Sequence, residues 1–411
     1  MFRIWYSTES LANYIINHTV LASADNVICS RLYESDANNP QNFHKMPDHI
    51  RKILYLDAPD LIVEKDGEPI FSIEISTEAG TGHNAFQRFA RIAASVENNV
   101  PCIYIYPEGV LITRKNQNTK WDKINPAIFK ALKSIRNIYK IPALLFYFPS
   151  IVNDESINIC DYISTKGLKY DSEYLSCPDS TDKQMINMFC IINEIIRLVE
   201  THGIHNYRER LLGNQIIENQ IEFMDYEYYS KLGNRKFIEM SPLTATSKVP
   251  TKYLINHLKQ YFAEDYELGD LIKSRKETII YKINAKFRGD PYPGALAAID
   301  YMCCRENVTY EDRKYNLVLL FGNINTNDKN EILNIIDNGK STIKDFIAAV
   351  KNSNRLNLLN KDYEQLSCKE IPRYLMQVRY GSTYSKVKHI RVYSYFADAI
   401  LFPDGALWRD G

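Results

Sequence analysis

The chain lacks an excess of charge of either sign: 50 Lys and Arg balance 50 Asp and Glu over 411 residues, for a formal net charge of zero. A basic field spread over the whole surface is thereby excluded, and any nucleic-acid surface has to be a local patch. The eight cysteines, among them the adjacent Cys303 and Cys304, form no CxxC pair, so a structural zinc site is not expected. Histidine is scarce, and His202-x-x-His205 and the His44 and His49 pair, with no cysteine cluster beside them, read as incidental surface residues. No apolar run approaches the ~20 residues of a membrane span. Met1-Phe2-Arg3-Ile4-Trp5-Tyr6 also lacks the long apolar core of a secretory leader. The expectation is a cytoplasmic protein with reduced thiols and no membrane partner. Internal repeats and low-complexity tracts are missing as well.

What is present is a globular composition, 45% hydrophobic, with 29 tyrosines, most of them expected in core and rim. The length exceeds the ~250–300 residues at which single cores stop growing, so two regions are expected. The polar, turn-rich stretch 153–181 is the boundary candidate, separating a region 1–152 from a helical and α/β region 182–411. In the latter, Lys183 to Glu200 carries Met185, Met188, Phe189, Ile192, Ile195, Ile196 and Val199 at helical spacing. A second helical stretch is expected from about Tyr207 to Tyr229.

The most informative segment runs from Ala58 to Ser76. Ala58-Pro59-Asp60-Leu61-Ile62-Val63-Glu64 and Ile70-Phe71-Ser72-Ile73-Glu74-Ile75-Ser76 read as two strands joined by Lys65-Asp66-Gly67-Glu68-Pro69, whose Asp-Gly and Pro punctuate a hairpin-type connection. Asp60 opens the first strand and Glu74 sits in the second, so the hairpin brings two carboxylates together. Alternation places Ser72, Glu74 and Ser76 on one face and Phe71, Ile73 and Ile75 on the other. Two carboxylates on adjacent strands suit a hard cation such as Mg²⁺, which takes oxygen ligands and keeps several waters. A glycine-containing loop follows, then His83-Asn84 and the amphipathic helix Ala85 to Val96, with Phe86, Phe89, Ala90, Ala93 and Val96 on one face and Asn84, Gln87, Arg88 and Arg91 on the other. Pro101-Cys102-Ile103-Tyr104-Ile105-Tyr106 reads as a buried strand.

Pro59-Asp60, a short interval, Glu74 on an apolar strand, then helix and strand: this order resembles the PD-(D/E)XK nuclease superfamily, best known from type II restriction endonucleases, over roughly residues 54–106. The resemblance implies an α/β fold with a mixed sheet flanked by helices, here with a larger mixed α/β C-terminal region. It also implies Mg²⁺-dependent hydrolysis of double-stranded DNA by a homodimer, the metal held by Asp60 and Glu74. The family's motif usually ends in lysine two residues after the second acid, and Ser76 stands there. A cation from elsewhere is then required, and Arg88, with Gln87 beside it, is positioned to reach a scissile phosphate. Lys65 lies at the far end of its strand, Arg114 and Lys115 are weaker candidates, and Glu9 on the first helix is an occasional extra ligand in such folds. His83 and Asn84 are expected at the nucleic acid.

In the second half, Lys282, Lys286 and Arg288 alternate along a strand before the constrained turn Asp290-Pro291-Tyr292-Pro293-Gly294. They are candidate phosphate contacts, with Asp290 and Tyr292 as candidate base readers. Leu317 to Gly322 is expected as a buried strand, and the C-terminus as a hairpin at Pro403-Asp404-Gly405. A protein of nuclease fold that binds nucleic acid or assembles without cleaving is the alternative class, and Ser76 is its main support.

Overall fold

The computed structural model of the chain describes residues 1–32, 46–54, 58–78, 83–113, 119–124, 127–231, 246–259, 273–283, 315–325, 331–336, 342, 399–403 and 405–408. It is mixed α/β, and its contacts divide it into two units, one reaching Lys231 among the described residues and one beginning at Thr246.

The first unit is built on a six-stranded sheet of order β2-β1-β3-β4-β5-β8, comprising β1 (Phe2–Tyr6), β2 (Val27–Arg31), β3 (Leu61–Lys65), β4 (Glu68–Ile75), β5 (Cys102–Pro107) and β8 (Ala143–Phe148). β3 alone runs against the other five. Cys-Ile-Tyr-Ile-Tyr-Pro in β5 and Ala-Leu-Leu-Phe-Tyr-Phe in β8 are near-continuous apolar runs because parallel strands are covered on both faces. β4 is buried along its length too, so the face carrying Ser72 and Glu74 is covered rather than solvated. β6 (Gly109–Ile112) and β7 (Lys120–Lys123) form a separate two-stranded ribbon.

Asp66 and Gly67, at φ 50° and 87°, make the two-residue turn between β3 and β4, the left-handed geometry for which Asp-Gly is suited. The hairpin carries a bulge. Val63 pairs with Phe71 but Glu64 pairs with Pro69, which leaves Ile70 as the extra residue. A proline, lacking an N–H, is tolerated at such a break in a central strand.

Helices cover both faces: α1 (Glu9–Asn17), α2 (Asp48–Leu54), α3 (His83–Glu97), α4 (Ala127–Tyr139), α5 (Lys183–His202) and α6 (Gln215–Lys231). The chain leaves β1 through α1 to reach β2 on one edge, and leaves β4 through α3 to reach β5 towards the other. Right-handed crossovers in opposite directions put α1 and α3 on opposite faces. α5 begins at Asp182, whose carboxylate caps the Gln184 N–H at 2.8 Å, and ends at Gly203 with φ 77°. Its Phe189 ring packs on Tyr14 of α1, centroids 5.3 Å apart.

The stretch 153–181 therefore does not separate two units. α5 and α6 pack on the first sheet, and between them Tyr207 and Arg208 donate to the bulge carbonyls, Tyr207 Oη to Ile70 at 2.9 Å and Arg208 Nη2 to Pro69 at 3.4 Å. The physical reason is that the broad apolar face of α5, with Met185, Met188, Ile192 and Ile195 fully buried, has its cover in the strands of the first sheet.

The second unit holds a five-stranded sheet of order β15-β14-β11-β10-β9: β9 (Thr246–Pro250), β10 (Glu277–Ile283), β11 (Tyr315–Phe321), β14 (Ala399–Phe402) and β15 (Gly405–Trp408). β12 (Asn323–Asn325) and β13 (Asn334–Ile336) pair apart from it, and α7 (Thr251–Leu258) lies against β9 and β10. Val249, Leu254, Ile280, Val318, Leu320, Leu333 and Leu401 form its core. The strand expected at Leu317–Gly322 is β11, which ends at Phe321, and the C-terminal hairpin is present with Phe402 paired to Gly405. Among the described residues no helix is long and apolar enough to cross a membrane.

Candidate active site

β3 is the place where the connections diverge, and the carboxyl ends of β1 and β4 flank its beginning. Open α/β sheets bind ligands at such a switch point. Asp60 stands there: its carbonyl accepts from the Ser7 N–H at 2.9 Å, its Oδ2 from the Ile75 N–H at 2.8 Å, and its Oδ1 from the Ser7 hydroxyl at 3.5 Å. Glu74, one residue before the end of β4, is completely buried. The hairpin thus brings the two acids together.

The covering helix supplies two arginines. Residues 88, 91 and 95 of α3 fall on one face at i, i+3 and i+7, and that face meets the polar side of β4. Ser95 Oγ accepts from the Ser72 hydroxyl at 2.8 Å. Arg88 Nη1 donates to Glu74 Oε1 at 2.5 Å and lies 3.8 Å from Asp60 Oδ2. Arg91 Nη1 donates to Glu74 Oε1 and Oε2 at 2.9 and 3.1 Å and lies 4.0 Å from Asp60 Oδ1. The two differ in access: the Arg88 side chain is 28% exposed and that of Arg91 9%.

Burial drives the Glu74 carboxyl up to about 7, with Asp60 adding to the rise while Arg91 and Arg88 pull it back. Glu74 is therefore poised between its charged and neutral forms close to neutrality, held by guanidinium groups on one side and dry surroundings on the other.

Arg91 is the residue that sequence reasoning misplaced. The amphipathic pattern of α3 put it on a polar outer face, whereas it is buried over Glu74. Its spacing of three from Arg88 was the available signal. Ser76, at the position of the usual lysine, is engaged in a turn: its hydroxyl donates to the Glu78 carbonyl at 3.2 Å and accepts from the Glu78 N–H at 3.3 Å. Lys65 stands over the Phe2 ring at 3.9 Å, at the opposite end of β3 from Asp60. Glu9 lies exposed in the first turn of α1. The backbones of His83, Asn84 and Gln87 lie in the first turns of α3, and that of Lys282 in β10 of the second unit, while their side chains fall outside the described part. Arg114, Lys115, Lys286, Arg288, Asp290 and Tyr292 lie outside the described residues.

Among the described residues no group of three or more His, Cys, Asp and Glu is arranged to hold a metal ion. Two carboxylates with water completing the shell are nevertheless a donor set that Mg²⁺ accepts. Asp60 fits that role, because its Oδ1 is held only loosely, by the Ser7 hydroxyl at 3.5 Å and Arg91 Nη1 at 4.0 Å. Glu74 fits once Arg88, the more exposed of its two partners, releases Oε1. Comparison with family models, with curated proteins and with solved structures returns no match for this chain.

Proposed function

We propose that the first unit is a Mg²⁺-dependent endonuclease of PD-(D/E)XK type that hydrolyses double-stranded DNA at specific sites, as restriction enzymes do. The observation that carries the reading is the convergence of Asp60 and Glu74 on the same two guanidinium groups, within 4.0 Å, at the switch point of the sheet. Burying Glu74 and Arg91 and half-burying Asp60 and Arg88 gives little net stability, since desolvation offsets the attraction between them, so a structural role alone explains them poorly.

Asp60 and Glu74 hold the cation, which when bound supplies Lewis acidity at the phosphate and lowers the pKa of a water. Arg88 is the mobile partner: it leaves Glu74 for a non-bridging phosphate oxygen and takes the place of the missing lysine in offsetting charge. Arg91 stays, keeping Glu74 oriented and partly neutralised. Ser7, through its N–H and hydroxyl, fixes Asp60. The second unit contributes recognition or dimerisation, and a homodimer matches the two-fold symmetry of palindromic DNA.

Purified protein incubated with plasmid DNA, with and without Mg²⁺, tests this reading. Discrete bands that need the metal are expected, together with loss of cleavage but retention of binding in Asp60→Ala and Glu74→Ala. A metal-dependent smear would point instead to a defence or repair nuclease without site preference. The second reading, a nucleic-acid-binding or assembly protein of this fold that does not cut, is favoured by the engagement of Ser76 in its turn and of both Glu74 oxygens by arginine. Absence of cleavage with any divalent cation, with binding intact, would establish it.

A further inference from the structure

Tyr104 is wholly buried, and its hydroxyl has no hydrogen-bond partner among the described residues. Leaving a buried phenol unpaired costs about 1–3 kcal/mol. Its place in the sheet is specific: β4 and β5 are parallel neighbours, and Tyr104 is the register partner of Glu74, so the two side chains stand side by side on one face. Glu74, Arg88 and Arg91 all act electrostatically on the phenol, whose pKa burial pushes well up, so it remains a protonated donor. The contrast is Tyr207, equally buried, whose hydroxyl donates to the Ile70 carbonyl at 2.9 Å.

Glu74 shows what the donor is for. An ionised carboxylate offers about four acceptor sites. Three are taken by arginine, and the shortest of these bonds belongs to the partner that the proposed mechanism removes. When Arg88 turns to the phosphate, Oε1 is freed for the cation and Arg91 is left as the one arginine donating to Glu74.

We propose that Tyr104 is a positioning residue whose hydroxyl donates to Glu74 once Arg88 leaves it, holding the carboxylate in place through the cleavage step. This rests on the nuclease reading above. The resting state makes no use of the hydroxyl, and the reacting state does.

Tyr104→Phe removes one oxygen and keeps the ring, which packs on Tyr106 at a centroid distance of 5.1 Å. The expected result is a fall in kcat of about 10- to 100-fold, as for a lost hydrogen bond to a charged group. KM for DNA, and DNA binding without metal, should change by less than about twofold, because the residue touches no DNA. The melting temperature in metal-free buffer should stay the same or rise, since an unpaired buried hydroxyl is removed. That combination separates positioning from structure. A melting temperature that falls together with the rate would make the hydroxyl an ordinary structural donor and overturn the inference. Full-rate cleavage by Tyr104→Phe, with Asp60→Ala inactive, would overturn it while leaving the nuclease reading intact. A wild-type chain that cuts nothing with Mg²⁺ or Mn²⁺ would overturn both.

Discussion

Arg91 reaches both carboxylate oxygens of Glu74 through a single nitrogen, Nη1, at 2.9 and 3.1 Å. Both groups are buried, so neither can fall back on water. Removing Arg91 takes two of the three arginine bonds from Glu74 and leaves Arg88 as its remaining guanidinium partner. Arg91→Ala is expected to destabilise the fold by about 1.5–3 kcal/mol, as for a lost hydrogen bond to a charged group. Urea unfolding of the variant checks this, and a loss below about 1 kcal/mol would mean that Glu74 does not depend on Arg91.

Arg88→Ala should behave in the opposite way. With its side chain 28% exposed and Arg91 still on Glu74, the fold should lose little, while cleavage should slow by ~10²–10³ if the group offsets charge at the phosphate. Single-turnover cleavage and thermal melting on the same sample separate the two effects. A variant that cuts at the wild-type rate would place the required cation elsewhere.

The raised Glu74 pKa has a consequence for stability. The folded chain holds a proton at Glu74 in a range where the unfolded chain has released it, so this contribution is complete below about pH 4.5 and is lost as pH rises through about 7. Glu74→Gln cannot titrate. Its melting temperature should change less than that of the wild type between about pH 5 and about pH 8. Parallel curves for the two proteins would show that Glu74 titrates alike in both states.

Two glycines should differ in what they tolerate. At Gly67 (φ 87°) an added Cβ meets nothing within 4 Å, so Gly67→Ala costs only the left-handed backbone penalty of about 1–2 kcal/mol. At Gly167 (φ 73°) the same atom would stand 3.0 Å from Trp121 and 3.2 Å from Ile151. Gly167→Ala should therefore add an overpacking cost of about 1–3 kcal/mol to that penalty. Equal melting temperatures for the two variants would contradict this ordering.

The sequence by itself determined the elements whose signals are local. Asp66-Gly67 specified the turn that joins β3 and β4, the apolar runs of β5 and β8 announced buried strands, and Met185 to Val199 announced α5. It also put Asp60 and Glu74 on the two arms of one hairpin, but the register set by the turn alone would place Asp60 opposite Ile73, and the bulge at Ile70 is what shifts Glu74 into line with it. What only the tertiary structure decided depends on which face of an element is covered and by what. Periodicity assigned α3 a polar outer side, yet Arg91 on that side is buried because a polar strand face, carrying Ser72 and Glu74, lies opposite it and pairs with it. Amphipathic patterning separates polar from apolar residues but cannot tell a polar face turned to water from one turned to a buried acid. The placement of α5 and α6 on the first unit, and of Tyr104 beside Glu74, likewise arises from pairings between segments far apart in the chain, which no local pattern encodes.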